Sequence, residues 1–168
     1  MKELTLHLET IKQLAVEKEN ENDAFRSFLR QQDSAAIDEK VHRLNQTITP
    51  SIDCTTCGNC CKSLMINVTQ AEAENLAANL QLSAEKIKEK YLEVSPGGKM
   101  VISSIPCHFL TGTKCSIYEY RFEGCREFPH LDRNHFTQRL FGTMMYYGTC
   151  PIIFNVIEAL KNELDFKL

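Results

Sequence analysis

Cys54-Thr55-Thr56-Cys57-Gly58-Asn59-Cys60-Cys61 places four cysteines within eight consecutive residues, and this stretch dictates how the rest of the chain must be arranged. A thiolate is a soft ligand that seeks zinc, iron or a second thiol. A C-x2-C step in a tight turn lets two sulfurs converge on one ion, and here the step occurs twice in succession. Gly58 supplies the backbone freedom that such a turn requires. Metal binding is the chemistry these residues favour. They specify neither the metal nor its use.

Cys107, Cys115 and Cys125 fall within nineteen residues, and Cys150 follows, for a total of eight cysteines. Eight sulfurs divide into two four-coordinate sites, or into one four-cysteine cluster plus four others. All eight are candidate metal ligands. A disulfide framework is the rival use, and it depends on compartment. The first nine residues, Met-Lys-Glu-Leu-Thr-Leu-His-Leu-Glu, carry acids and no apolar run, so a secretory signal is not expected. No later stretch approaches the roughly 18 apolar residues of a membrane span. The expectation is a cytoplasmic chain with reduced thiols and no membrane partner.

At 168 residues, 43% of them hydrophobic and 24% charged, the chain is long enough to bury a core without depending entirely on metal. A net charge of −3 argues against nucleic acid as a partner. Aromatic residues do interleave with Arg121, Arg126, Arg133 and Arg139, but Glu119, Glu123, Glu127 and Asp132 cancel the basic field there. The sequence holds no G-x-G-x-x-G, P-loop, G-x-S-x-G or H-E-x-x-H motif, and no catalytic residue can be named from it.

The hydrophobic pattern divides the chain near residue 50. Residues 1–50 contain no cysteine and no glycine. Leu4, Leu8, Ile11 and Ala15 recur at helical spacing, as do Phe25, Phe28 and Leu29, then Ile37, Val41, Leu44 and Ile48. Asp33 or Ser34 suits the cap of a third helix, and Pro50 stops the segment. These features predict an N-terminal helical arm, a hairpin or three helices, ahead of a cysteine-cluster domain over 51–168.

In the second part, Thr69-Gln-Ala-Glu72 is a capping box opening a helix with Ala73, Leu76, Ala77 and Leu80 as its stripe. Ser83 caps a further helix through Tyr91. Pro96-Gly97-Gly98 is a turn before a short strand over 100–105, and 107–129 reads as cysteine-punctuated loop with a helical turn near Ile117 to Tyr120. Phe136, Leu140, Phe141, Met144 and Tyr147 have helical spacing, with Gly148 suited to a C-cap. Pro151 opens the last helix. The fold class expected is mainly α, a small helical metal-binding domain with long cysteine-rich loops.

Taken in order, Cys54-x2-Cys57-x2-Cys60-Cys61, Pro106-Cys107-His-Phe109-Leu110, Cys115-Ser-Ile117-Tyr118-Glu-Tyr-Arg121, Cys125-Arg126-Glu-Phe128-Pro129 and Cys150-Pro151 resemble the CxxCxxCC family. Its members are cysteine-cluster proteins described as zinc- or iron-chelating and often labelled Fe–S oxidoreductase-like. The resemblance covers residues 52 to 160 and leaves the N-terminal arm outside it. It implies metal binding, and a related cluster in a bacterial flagellin lysine methylase extends the implication to protein modification. One departure is Arg121-Phe122, where the family has Arg-Pro.

Spacing also suggests how the sulfurs divide. Adjacent side chains point apart in extended backbone, so Cys60 and Cys61 are not expected at one tetrahedral centre. Cys54, Cys57 and Cys60 have the spacing of the bacterial ferredoxin run, which is completed by a remote Cys-Pro such as Cys150-Pro151. The expected sites are therefore Cys54, Cys57, Cys60 and Cys150 at a cofactor such as a 4Fe–4S cluster, and Cys61, Cys107, Cys115 and Cys125 at a second centre. Exchanging Cys61 with Cys60 or with Cys150 fits the spacing nearly as well. His108, His130 and His135 are alternative ligands, and the four arginines suit either thiolate charge or the neighbouring acids.

Three functions follow from different classes. The first is a redox-active iron–sulfur protein working with a protein partner, without the C-x3-C-x2-C of radical chemistry. The second is a zinc-organised structural or interaction module, and the third is a protein that captures and hands on metal. A monomer or a homodimer suits any of them.

Overall fold

The computed structural model describes residues 3–168 and is mainly α-helical, with short two-stranded pairings. It divides into two compact units, Met1–Asp53 with Pro129–Leu168, and Cys54–Phe128. The division expected at residue 50 therefore captures only part of the first unit, because residues 129–168 fold with the N-terminal helices. The reason lies in the last helix, which is apolar on nearly every face and needs neighbours all round.

In the first unit, α1 (Leu8–Glu17), α2 (Glu19–Leu29) and α3 (Ser34–Ile48) are the three expected helices. Asp33 is the cap of α3, accepting from the Ala36 N–H at 2.8 Å. Ile11, Phe25, Leu29, Ile37 and Val41 are buried as their spacing predicts. Phe25 and Phe28 meet Phe166 with ring centroids 4.9 and 5.2 Å apart.

The final helix of this unit (Pro151–Glu163) begins at its proline and packs along α3, with Pro151 to Ile157, Leu160 and Lys161 buried. Lys161, only 4% exposed, reaches Glu21 at 2.7 Å, Asn22 at 2.6 Å and Glu158 at 2.8 Å. Buried Asp38 accepts the backbone N–H groups of His135 and Phe136 at 2.7 and 2.8 Å. The continuous helix expected over 136–147 is broken into a 3-10 turn (Phe136–Gln138) and a helix of five residues (Leu140–Met144). Gly148 is not its C-cap. A Cβ there would stand 2.9 Å from the Cβ of Ala15, so close packing selects the glycine.

The second unit opens on two 3-10 turns, Cys54–Thr56 and Cys60–Lys62. Next come α4 (Gln70–Leu80), with the complete capping box of Thr69 and Glu72, and α5 (Ala84–Tyr91), capped by Ser83. β1 (Leu92–Val94) turns back through Pro96-Gly97-Gly98 onto β2 (Met100–Ile102), pairing Leu92 with Ile102. The strand is shorter than the six residues expected. Asn67 bridges Val101, bringing the chain that follows the cysteine run onto β2. Within 107–129, β3 (Leu110–Thr111) and β4 (Lys114–Cys115) form a hairpin, followed by a 3-10 turn (Tyr118–Tyr120) and α6 (Glu123–Glu127). This order replaces the irregular loop expected there. The core of the unit joins Val68, Ala73, Leu76, Ile87, Ile102, Phe109 and Phe122. In chain order the helices of residues 129–168 are α7 (Leu140–Met144) and α8 (Pro151–Glu163). Among the described residues no helix is long and apolar enough to cross a membrane.

Candidate metal centre

Seven of the eight cysteines lie in the second unit, and its backbone brings segments that carry them together. The Cys57 N–H closes on the Cys54 carbonyl at 3.2 Å, and Gly58 then takes φ +64°. A side chain at 58 would put its Cβ 2.8 Å from the Thr113 carbonyl oxygen. The tip of the β3–β4 hairpin thus rests directly on the cysteine run, a contact available only to glycine. Behind Gly58, the Cys107 N–H donates to the Cys61 carbonyl at 2.7 Å. Cys115 ends β4, and Cys125 is the third residue of α6, its N–H bonded to the Phe122 carbonyl at 3.0 Å.

Phe122 explains the departure from Arg-Pro. Its φ of −57° and ψ of 151° are values a proline would also hold, so the turn into α6 survives without the ring. The side chain is buried against Phe109, with centroids 6.4 Å apart, and so adds core that proline would not supply.

The thiols differ in proton affinity because they bond to one another. Cys61 donates its S–H towards Cys115 and Cys60, which pushes its own pKa upward. Cys115 is brought down to about 6, first by that S–H, with burial opposing and with the Ile117 N–H and the Arg121 guanidinium assisting. Cys60 is brought down to about 7, first by Cys61, again against burial. Burial raises Cys107 and Cys57. It pushes Cys125 up to about 12, with Cys107, Cys60 and Cys115 adding repulsion. Cys115 and Cys60 are therefore the readiest of the group to lose a proton, and Cys61 and Cys125 hold theirs more tightly.

Cys60 stands beside members of both expected foursomes. It is in electrostatic reach of Cys57 on one side and of Cys61, Cys107, Cys115 and Cys125 on the other. Extended backbone would point the Cys60 and Cys61 side chains apart. These residues lie instead in a 3-10 turn, where neighbouring side chains are roughly 120° apart. Cys54 is the exposed cysteine at the start of its turn, the other seven being half-buried. Cys150 belongs to the first unit, as the N-cap of α8. His130 and His135 also belong to that unit, both with left-handed backbone. His108 shares a hydrogen bond of 2.9 Å with Ser103 and packs edge-on to Tyr91.

Among the described residues no three His, Cys, Asp or Glu side chains form a ready coordination shell, so closing round an ion requires side-chain rotation. The donor set nonetheless suits soft or borderline metals, since every group converging here is a thiol. Arg121, one of the four arginines expected near thiolate charge, is held over the Tyr118 ring at 3.8 Å in electrostatic reach of Cys115. One contributor, Glu72, was not singled out from sequence as part of the site: it bonds the backbone of the Cys125 segment. The capping-box motif was the one visible sign of Glu72, and nothing local pointed to its second contact.

The family model CxxCxxCC, described as "Putative zinc- or iron-chelating domain", matches residues 53–144, more than half of the chain. No curated protein and no solved structure matches the chain.

Proposed function

The chain belongs to the CxxCxxCC family, and we propose that its second unit binds a thiophilic metal through Cys60, Cys61, Cys107, Cys115 and Cys125, one ion taking four of the five. The observation that carries this reading is backbone geometry: the Cys107 N–H on the Cys61 carbonyl at 2.7 Å and the hairpin tip against Gly58 hold the cysteine run beside the segments of Cys107 and Cys115. A single zinc or iron ion takes four thiolates, and these five cysteines are enough to supply them. The half-buried setting leaves the centre within reach of a partner that delivers or removes metal, so capture and transfer is the function best supported.

Binding displaces protons from Cys61 and from the raised thiols, Cys107 or Cys125. Cys115 and Cys60, the thiols readiest to ionise, would hold the ion as thiolates, with Arg121 offsetting part of their negative charge. When bound, the metal fastens the cysteine run, the hairpin and α6 to one point.

A second reading is an iron–sulfur cluster with a redox role. It is favoured by the number of thiols: Cys57 is also in electrostatic reach of Cys60, and a single ion leaves it unused.

Metal and acid-labile sulfide analysis, with a visible spectrum, on protein purified without oxygen separates the readings. The first predicts one zinc or iron per chain without sulfide, exchanging with a competing chelator within minutes. Iron with matching sulfide and a brown chromophore would replace it with the second. A chain that takes up no metal in either form would remove both.

A further inference from the structure

A capping box occupies one carboxylate oxygen. At the start of α4 the Oε2 of Glu72 fills that role, accepting from the Thr69 N–H at 2.8 Å and its hydroxyl at 2.9 Å. The Oε1 accepts the backbone N–H of Glu123 at 2.7 Å, across 51 residues of sequence. Glu123 is the first residue of α6, and Cys125 is the third. An N–H in the first turn of a helix has no acceptor within that helix. The N-cap of α6, Phe122, offers no side-chain oxygen either. With only five residues, α6 has too few internal hydrogen bonds to hold its own position. Its place in the unit depends on what grips its first turn.

We propose that Glu72 is a positioning residue for the thiol centre: by holding the Glu123 N–H it fixes α6, whose Gly124 packs against Ile66 just beyond the cysteine run, and so sets where Cys125 sits. The inference rests on reading that thiol centre as a metal centre. It makes one carboxylate serve two elements, opening α4 with one oxygen and registering the Cys125 segment with the other. Glu72 acts through Cys125 and does not touch the metal.

Cobalt(II) added to the reduced full-length chain without oxygen tests this, because sulfur-to-cobalt charge-transfer absorbance per bound ion reports the number of thiolate ligands. Four variants separate the contributions. Glu72→Gln keeps one acceptor oxygen and puts a donor in place of the other. Glu123→Pro removes the donated N–H and leaves the capping box intact; the ring is tolerated at a first helical position. Thr69→Ala weakens the cap while sparing the Glu72–Glu123 bond, and Cys125→Ser sets the size of losing that ligand.

Glu72→Gln and Glu123→Pro are both expected to reproduce the loss of absorbance per bound cobalt that Cys125→Ser shows, about a quarter for one thiolate in four, and a Cys125→Ser chain with the parent's absorbance overturns the inference. Both should weaken cobalt binding about 10-fold or more, as loss of supporting contacts around metal ligands does. Thr69→Ala is expected to leave both readings unchanged. Glu72→Gln in the Cys125→Ser background is expected to add nothing, since the two act as one unit.

The inference is overturned if Glu72→Gln and Glu123→Pro match the parent chain, if Thr69→Ala reproduces their loss, or if the double variant is additive. If Glu72→Gln also loses helical circular dichroism, Glu123→Pro decides. A parent chain with no cobalt–thiolate absorbance overturns the metal reading itself. A normal parent spectrum with unchanged variants overturns the role of Glu72 alone.

Discussion

The two units of this chain reach order by different physical routes. The unit built from α1–α3, α7 and α8 is hydrocarbon-packed: Phe25, Ile11 and Leu29 are fully enclosed, and α8 is buried on almost every face. Residues 54–128 have a smaller core resting on α4, α5 and the β1–β2 pair, and beside it lie loops whose order depends on a few backbone bonds and on thiols. Apolar surface removed from water contributes about 25 cal/mol per Å² without requiring a particular geometry. A ring of thiols contributes little until something satisfies its charges. The first unit is thus specified by pattern, the second by a small number of contacts between residues far apart in sequence.

Metal removal tests that contrast most severely. Structural thiolate zinc contributes apparent binding energies on the order of 10–16 kcal/mol. Stripping the metal under reducing conditions is expected to abolish hydrogen-exchange protection across 54–61 and 107–127. Amides of α2, α3 and α8 should keep theirs. Equal loss in both units would erase the distinction.

Phe25→Ala is the converse, a large hole in the hydrocarbon unit. Truncations of this kind cost about 3–5 kcal/mol. Chemical denaturation should show that loss while cobalt affinity at the thiol centre stays within about two-fold of the parent, sites without shared partners being nearly independent.

Gly58→Ala addresses the second unit's dependence on single contacts. Left-handed backbone costs an alanine about 1–2 kcal/mol, and the added Cβ meets the Thr113 carbonyl at 2.8 Å besides. The hairpin tip should lift from the cysteine run and metal affinity should fall by about 10-fold or more. Unchanged affinity would show that the hairpin does not order the site.

The smallest effect expected is the acid response of the first unit. Burial raises the Glu158 pKa, but hydrogen bonds from Lys161 and Lys18 overcome it and hold the carboxyl below its ordinary value. A depressed carboxylate stabilises the fold above its unfolded pKa, and that contribution is lost as pH falls through the folded value. Stability should therefore decline below about pH 4.5, and Glu158→Gln should flatten that part of a denaturation-versus-pH curve. Lys18, raised by the same carboxylate against the effect of burial, keeps its contribution until pH exceeds its ordinary 10.5. An acid response in Glu158→Gln equal to the parent's would assign the effect to other groups.

Legibility followed the same line between the units. The stripes of α1–α3, the Asp33 cap, the Thr69–Glu72 box and the proline start of α8 were all readable, because each rests on residues within one or two turns of each other. The segment 136–147 was misread as one helix. Its spacing is helical, but Asp38, nearly a hundred residues away, captures the N–H groups of His135 and Phe136 and imposes a turn there. Residues 107–129 looked irregular because the β3–β4 pairing involves two residues per strand, too few for alternation to show.

By itself the sequence determined that the chain is mainly helical, that its cysteines are suited to soft metals, and where most helices begin. Those properties depend on side-chain type and on spacings of three or four residues, which any chain carries on its face. Only tertiary structure decided that residues 129–168 fold with the N-terminal helices, that the β3–β4 hairpin tip rests on Gly58, and that Glu72 reaches α6. Each of these depends on which distant segment fills the space beside a residue, and packing settles that only once the whole chain has closed.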